Sequence, residues 1–189
     1  MLTKKVADAL AIAIDAHKEQ LRKGTSIPYI SHPLGVASIA LEFGADEDQT
    51  IAALLHDVIE DGGSAFIPVI RSQFGERVSS IVQSCTDGIP DENGHKGDWW
   101  DRKRAYLAHL ESASADALLV SGSDKLHNAR AIVSDLQKEG AAVFERFSTK
   151  KEGTLWYYSE LSALFRKRNA PMALALEMAV VEMKRLAAK

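Results

Sequence analysis

The chain has 189 residues, 46% of them hydrophobic and 26% charged, which is the balance of a folded globular protein and not of a disordered chain. Its formal net charge of −3 argues against a protein that wraps nucleic acid, so we expect no nucleic-acid partner. No apolar run approaches the roughly 20 residues of a membrane span, and the single cysteine, Cys85, fits a reducing compartment. We therefore expect a cytoplasmic protein of one domain, 1–189, without a membrane partner.

Helical periodicity runs along the sequence, and no segment alternates as a strand would. The N-terminal apolar stretch continues at helical spacing past Asp15, which indicates an amphipathic first helix and not a signal peptide. Residues 86–98 are rich in Gly, Asp, Pro and Asn and predict a long loop. The predicted fold class is all-α, a single helical bundle of about eight helices whose core covers about 5–165. The predicted helices include 3–22, 99–111, 115–138, 141–165 and 170–188.

The segment His56–Asp61, with the sequence HDVIED, is the most informative in the chain. The apolar run 51–55 before it predicts one buried helix whose polar side chains face inward. Residues three and four apart on a helix lie on the same face, so the ionisable side chains of HDVIED are expected to meet. Burying several such groups is costly unless they are paired or hold a cation. The segment therefore predicts a site that handles a metal ion or protons.

Four side chains from three segments form the candidate metal site. His56 and Asp57 come from HDVIED, His32 directly precedes the predicted helix start at Pro33, and Asp124 lies in the segment SDKLHNAR. Imidazole and carboxylate ligands without a thiolate favour Mn²⁺, Mg²⁺, Fe²⁺ or a catalytic Zn²⁺ over a closed structural zinc site. The ordered set of two histidines and two aspartates therefore predicts one divalent metal ion.

Glu60 and Asp61 are the candidate acid–base pair beside this metal. Water bound to a metal ionises more easily than bulk water, and a nearby carboxylate can orient it and accept its proton. Basic residues before and after HDVIED suit a substrate that carries several phosphates. The candidate cations are Arg22, Lys23, Lys96, Arg102, Lys103 and Arg104, the candidate stacking surfaces are Trp99-Trp100 and Trp156–Tyr158, and the candidates for supporting contacts are His17 and His127.

The order of these motifs resembles the HD superfamily of metal-dependent phosphohydrolases. Within that superfamily, several strings are similar to the hydrolase domain of RelA/SpoT-homologue proteins. Two further features, the spacing from Lys96 to Lys103 and the string GTLWYY at 153–158, resemble the stand-alone bacterial members, the small alarmone hydrolases. The strings that carry the resemblance are RKG at 22–24, PYISHP at 28–33, HDVIED at 56–61, FG at 74–75, TD at 86–87 and SDKLHNAR at 123–130.

The resemblance implies a reaction and assigns roles to residues. It implies an all-helical HD fold that removes the 3′-diphosphate of guanosine tetra- or pentaphosphate, a small-molecule substrate, to give GDP or GTP and pyrophosphate. It also implies that the synthetase domain of the long members is missing, because the chain ends at Lys189. The apolar helix over 170–188 suits either the core or a homo-oligomer interface. The implied residues are His32, His56, Asp57 and Asp124 around one Mn²⁺, Glu60 and Asp61 at the attacking water, and Arg22, Lys23, Lys96, Asn128 and Tyr157 at the nucleotide.

Two alternative functions stay open at this point. The same metal chemistry serves other phosphorylated nucleotides, such as the 2′-phosphate of NADPH, because the ion and the base act on phosphorus. A non-catalytic sensor of nucleotide or metal is the second alternative. The intact Glu60-Asp61 pair argues against a sensor, which has no use for a base that activates water.

Overall fold

A computed structural model describes residues 1–88 and 97–189. Those residues form ten α-helices and one 3₁₀ helix and contain no strand, so the predicted all-α class is confirmed. None of these helices is both long and apolar enough to cross a membrane. The α-helices are α1 (Lys4–Ala16), α2 (Ser31–Glu42), α3 (Glu47–Leu55), α4 (Val58–Gly62), α5 (Phe66–Phe74), α6 (Glu76–Cys85), α7 (Trp99–Leu110), α8 (Ala115–Glu139), α9 (Lys150–Lys167) and α10 (Ala173–Ala187), and the 3₁₀ helix is Gly140–Arg146.

Several helices begin where a side chain caps the free backbone N–H groups. The Asp46 carboxylate accepts from the backbone N–H of Gln49, whose side chain accepts in return from the backbone N–H of Asp46, and this capping box starts α3. Asp98 caps α7, and Ser114 caps α8. The caps at Asp46 and Ser114 fix the starts of α3, which ends just before His56, and of α8, which carries Asp124.

Helix α8 is the longest helix, and it lies between two clusters of buried residues. One cluster contains residues of α8, α9 and α10. The other contains residues of the first six helices, α1 through α6, together with Val120 of α8. The start of α2, the end of α3 and the middle of α8 are therefore held together by the core. These three places carry the candidate metal ligands.

The first predicted helix, over 3–22, is too long. Helix α1 ends at Ala16, because the chain then turns back on itself and uses its backbone groups across the turn. The N–H of Arg22 donates to the carbonyl of Ile27 at 2.8 Å, and the N–H of Tyr29 donates to the carbonyl of Gln20 at 2.9 Å. This turn brings Arg22 to Asn128 on α8 and Tyr29 to Asp57.

The sequence predicts that HDVIED lies on one helix, but the structure divides the segment between two helices. Helix α3 ends at Leu55, and α4 begins at Val58, with His56 and Asp57 in the break. The His56 ring donates from Nδ1 to the carbonyl of Ala53 at 2.8 Å, and in a continuous helix that carbonyl would accept from the N–H of Asp57. The side chain therefore competes with the backbone bond that would continue the helix.

The predicted helix over 141–165 is also divided. It comprises the 3₁₀ helix Gly140–Arg146 and then α9, and Gly140 itself ends α8 with a positive φ of 68°. The extra breaks explain why the structure has more helices than the eight or so that were predicted. The Lys96 side chain lies outside the described residues.

Candidate active site

The structure brings the four candidate metal ligands together from three helical segments. His32 lies in the first turn of α2, His56 and Asp57 lie in the break between α3 and α4, and Asp124 lies inside α8. The two imidazole Nε2 atoms are 3.2 Å apart. Asp57 Oδ2 lies 3.4 Å from Nε2 of His32 and 3.0 Å from that of His56, and Asp124 Oδ1 lies 3.2 and 3.8 Å from the same two nitrogens.

The chemistry of these atoms fits a divalent cation. Because Nδ1 of His56 donates its hydrogen to the Ala53 carbonyl, a neutral His56 ring has a lone pair on Nε2. That lone pair faces Nε2 of His32 and one oxygen from each of the two carboxylates. These four atoms cannot satisfy one another as hydrogen-bond acceptors, so they need a positive charge between them. Ligands bonded to one ion at about 2.1 Å lie about 3.0 to 3.4 Å apart, close to the separations seen here. The four residues could therefore hold one ion.

Three neighbouring side chains restrain the two carboxylates. The Tyr29 hydroxyl donates to Asp57 Oδ2 at 2.6 Å. The Asn128 amide donates to Asp124 Oδ1, and the Lys125 ammonium donates to Asp124 Oδ2, both at 2.6 Å. Contacts of this kind fix the orientation of metal ligands and are a large part of a metal site's affinity.

Burial and charge act in opposite directions on His56. Burial alone lowers its pKa, but the carboxylates of Asp57 and then Asp124 outweigh burial and raise the pKa to about 9 from an ordinary value of 6.5. Burial alone raises the pKa of both carboxyl groups, but His56 and His32 hold that of Asp57 below its usual range, and Lys125 with the two histidines does the same for Asp124. Without a metal, the cluster therefore holds a proton on His56 at neutral pH.

The affinity of this site for a divalent cation is expected to rise with pH, because the cation must displace this proton. Between pH 7 and the raised His56 pKa of about 9, affinity should increase about tenfold per pH unit and then level off. In the metal-free protein, the raised pKa stabilises the fold below pH 6.5, and this contribution is lost as the pH rises through 9. Calorimetry in buffers of different ionisation enthalpy measures the protons released, and release of none at pH 7 would contradict the expectation.

Glu60 and Asp61 lie on α4, immediately after the break that carries His56 and Asp57. The N–H of Asp61 donates to the carbonyl of Asp57 at 2.9 Å, so the short helix is anchored on a candidate ligand. Glu60 is half-buried. The side chain of Asp61 is one-quarter exposed, and its Oδ2 lies 3.9 Å from Nδ1 of the buried His17. Both residues therefore follow the candidate ligands His56 and Asp57 directly along the chain.

A cavity of about 740 Å³ opens beside the cluster. Tyr29, His127 and Asn128, which all contact candidate ligands, form part of its wall. Asp135 is the one acidic residue among its described lining residues. The basic residues of the lining are Arg22, Lys23, Arg102, Lys103, Lys125 and Arg146. The cavity thus places a concentration of positive charge beside the candidate metal ligands, which suits a substrate with several phosphates.

The sequence-predicted substrate residues are distributed unevenly around this cavity. Arg22, Lys23, Asn128 and Tyr157 line it, whereas the side chain of Arg104 is 64% exposed and is not among the lining residues. Asn128 has a second role, because its Oδ1 accepts from Arg22 at 2.7 Å while its amide donates to Asp124. It therefore connects the cavity wall to a candidate metal ligand.

Tyr157 presents an unused polar atom in this cavity. Its side chain is buried, and its hydroxyl has no hydrogen-bond partner among the described residues. Burial raises the pKa of the hydroxyl, so it remains protonated and can donate. The Lys103 ammonium lies 5.0 Å from the centre of the ring. A ligand in the cavity could accept a hydrogen bond from Tyr157.

A family model described as HD domain matches residues 9–155, which is most of the chain. The chain belongs to the HD-domain family. The HD-type resemblance predicted from the motifs is thereby confirmed.

Within the HD-domain family, the similar proteins have related names. A Xenopus tropicalis protein named guanosine-3′,5′-bis(diphosphate) 3′-pyrophosphohydrolase MESH1 is 40% identical over 128 residues, which are 66% of this chain and 68% of that protein. Its Danio rerio namesake is 37% identical over 131 residues, 68% of this chain and 69% of that protein. A solved structure of a metazoan SpoT ortholog that hydrolyzes ppGpp superposes with a TM-score of 0.75 at 27% identity, covering 95% of each chain.

Some residues of this HD-domain site were not predicted as site residues. In the sequence, Tyr29 and Lys125 stand out only as members of the strings PYISHP and SDKLHNAR, yet each donates to a candidate ligand. Asp87 lies buried beside the cavity and accepts from Arg102 at 2.7 Å and from Lys103. Its place in the string TD at 86–87 was the available signal.

Proposed function

We propose that the protein hydrolyses guanosine tetra- or pentaphosphate at the 3′-diphosphate and releases pyrophosphate with GDP or GTP. The observation that carries the proposal is the cavity of about 740 Å³ with six basic lining residues, whose wall residues Tyr29, His127 and Asn128 contact the candidate metal ligands. The names of the relatives from Xenopus tropicalis and Danio rerio support the same reaction. The substrate is thus a small molecule with diphosphates at two positions.

The metal residues of the proposal are His32, His56, Asp57 and Asp124, and the proposed ion is Mn²⁺. Their mixed nitrogen and oxygen donors suit Mn²⁺ and do not include the thiolate that a structural zinc site favours. A divalent ion held by this set would polarise a phosphoryl oxygen and make water a stronger nucleophile.

The proposed general base is Glu60, with Asp61 beside it. Glu60 is half-buried on α4, directly after the break that carries His56 and Asp57, and its carboxylate would orient the attacking water and accept its proton. The water oxygen forms a bond to the phosphorus attached to the ribose 3′ oxygen, and the bond from that phosphorus to the 3′ oxygen breaks. The 3′ oxygen leaves with a proton, and the two phosphoryl groups leave together as pyrophosphate.

The proposed contacts to the nucleotide come from the cavity wall. Arg22 and Lys23 lie on the loop after α1, and Lys103 and Lys125 lie on α7 and α8, so positive charge reaches the cavity from three elements. Cations distributed in this way can neutralise two separated diphosphates. The free hydroxyl of Tyr157 would add a neutral hydrogen bond. Lys96 stays a predicted contact.

Incubation of the purified protein and Mn²⁺ with a panel of nucleotides tests the function. We expect guanosine tetraphosphate to give GDP and pyrophosphate, and the pentaphosphate to give GTP and pyrophosphate. Release of inorganic phosphate from NADPH without cleavage of either guanosine substrate would replace the proposal with the alternative phosphohydrolase. Tight binding of guanosine tetraphosphate without turnover of any substrate would instead favour the sensor.

A further inference from the structure

His127 is a second imidazole beside the candidate ligand His32, outside the four ligands. It lies on α8, three residues after Asp124, and its ring centre is 4.9 Å from that of His32. The Nδ1 atoms of the two rings are 2.9 Å apart, which is hydrogen-bond distance. The other nitrogen of His32, Nε2, is the one that lies among the candidate metal ligands.

A contact between two ring nitrogens needs one hydrogen, so one ring donates and the other accepts. A metal at Nε2 of His32 requires the lone pair there, and the neutral ring then carries its hydrogen on Nδ1. His32 therefore donates, and Nδ1 of His127 accepts. We infer that His127 is a positioning residue for the metal centre, which holds His32 in the tautomer and ring orientation that direct Nε2 at the ion.

Gly35 provides the space that this contact needs. It lies on α2, three residues after His32 and so on the same face of the helix. A Cβ atom built at Gly35 would lie 2.2 Å from Nε2 and 2.3 Å from Cδ2 of His127, closer than atoms can approach. Glycine inside a helix is less stable than alanine, so the space for the His127 ring gives it a reason to be there. Gly35 and His127 act as a pair.

Different kinds of group thus hold the rings of the two candidate metal-binding histidines in place. The ring of His56 donates to a backbone carbonyl, that of Ala53, which no side-chain substitution removes. The ring of His32 depends on the side chain of His127. Loss of such a supporting contact typically weakens metal binding by about 10- to 100-fold. The inference rests on the metal site of the proposed function but not on its substrate.

The test is the Mn²⁺ affinity of the metal-free protein, measured by the electron paramagnetic resonance signal of free Mn²⁺ without any nucleotide. We expect His127→Phe, which keeps a ring but removes the acceptor, to weaken binding by about 10- to 100-fold. His127→Gln restores an acceptor oxygen and should bind more tightly than His127→Phe. His109→Phe is the matched control, because His109 is an exposed histidine on α7, and its affinity should equal that of the wild type.

Gly35→Ala gives an independent arm of the test. It should weaken Mn²⁺ binding by itself but have little further effect in a chain that already carries His127→Ala, because the ring it would strike is gone. Circular dichroism and thermal unfolding confirm that each variant is folded, and if Gly35→Ala is not, the two His127 variants decide. Wild-type affinity in folded His127→Phe would overturn the inference alone. A wild-type protein that binds no Mn²⁺ would overturn the metal site and the inference with it.

Discussion

Replacement of Glu60 with alanine is expected to reduce turnover of guanosine tetraphosphate on the order of 100-fold or more, while the fold and Mn²⁺ binding are retained. Glu60 lies on α4, one turn beyond the candidate ligands, so its loss removes the proposed base without removing a ligand. Steady-state kinetics measure the turnover, and titration with Mn²⁺ measures the metal. The defect should persist at saturating Mn²⁺, because the missing step is proton transfer.

Two comparisons make the Glu60 result specific. Glu60→Gln keeps the shape of the side chain but cannot accept the proton, so its turnover should resemble that of Glu60→Ala. Glu42→Ala removes an exposed carboxylate at the end of α2 and should turn over substrate like the wild type. Normal turnover in Glu60→Ala would remove Glu60 from the mechanism, whereas the metal site would be unaffected by that outcome.

The fold class could be predicted from sequence because helical periodicity is a property of the whole chain. The break inside HDVIED could not, because it depends on one side-chain contact. His56 and the Ala53 carbonyl are three residues apart, and either the ring or the backbone can satisfy that carbonyl. Similarly, the end of α1 depends on backbone bonds across the turn that includes Arg22 and Ile27. The periodicity of apolar residues does not show where either α1 or α3 ends.

In the candidate site, too, some features could be predicted from the sequence and others could not. His32, His56, Asp57 and Asp124 could be predicted because ligand chemistry restricts each position to a few residue types. In the structure, Nε2 of each histidine lies within 3.8 Å of an oxygen of each of the two carboxylates, as expected if the four side chains share one ion. The supporting contacts to the two carboxylates could not be predicted, because many residue types can donate to a carboxylate. The use of Tyr29, Lys125 and Asn128 for this purpose is visible only in the folded chain.

A buried carboxylate, that of Asp87, partly neutralises the positive charge of the cavity wall. Arg102 and Lys103 both pair with Asp87, whose side chain is 3% exposed. Burial alone raises the pKa of Asp87, but Lys103 and the other nearby cations hold it below its usual value. Burial and the charge of Lys125 lower the pKa of Lys103. Asp87 therefore keeps two cations on the cavity wall that would otherwise repel each other, and it leaves part of their charge for a substrate.

Asp57→Asn is expected to weaken Mn²⁺ binding by more than about 100-fold, beyond the range typical of a supporting contact, and to reduce turnover with it. The asparagine can still accept a hydrogen bond from Tyr29, so the local fold should be kept, but the charge that attracts the ion is lost. Of the groups that raise the pKa of His56, Asp57 has the largest effect. The pH dependence of Mn²⁺ affinity should therefore shift to lower pH in this variant.

The response to added Mn²⁺ distinguishes this defect from that of Glu60→Ala. High Mn²⁺ should restore part of the turnover of Asp57→Asn by mass action, because the lost interaction is binding of the ion. Asp48→Asn is the matched control, since Asp48 is in a surface ion pair with Arg77 at 3.3 Å, and both affinity and turnover should remain those of the wild type. If Asp57→Asn binds Mn²⁺ as tightly as the wild type, Asp57 is not a ligand, and the ion would have to be held by the three residues His32, His56 and Asp124, whose donor atoms lie within 4.8 Å of one another.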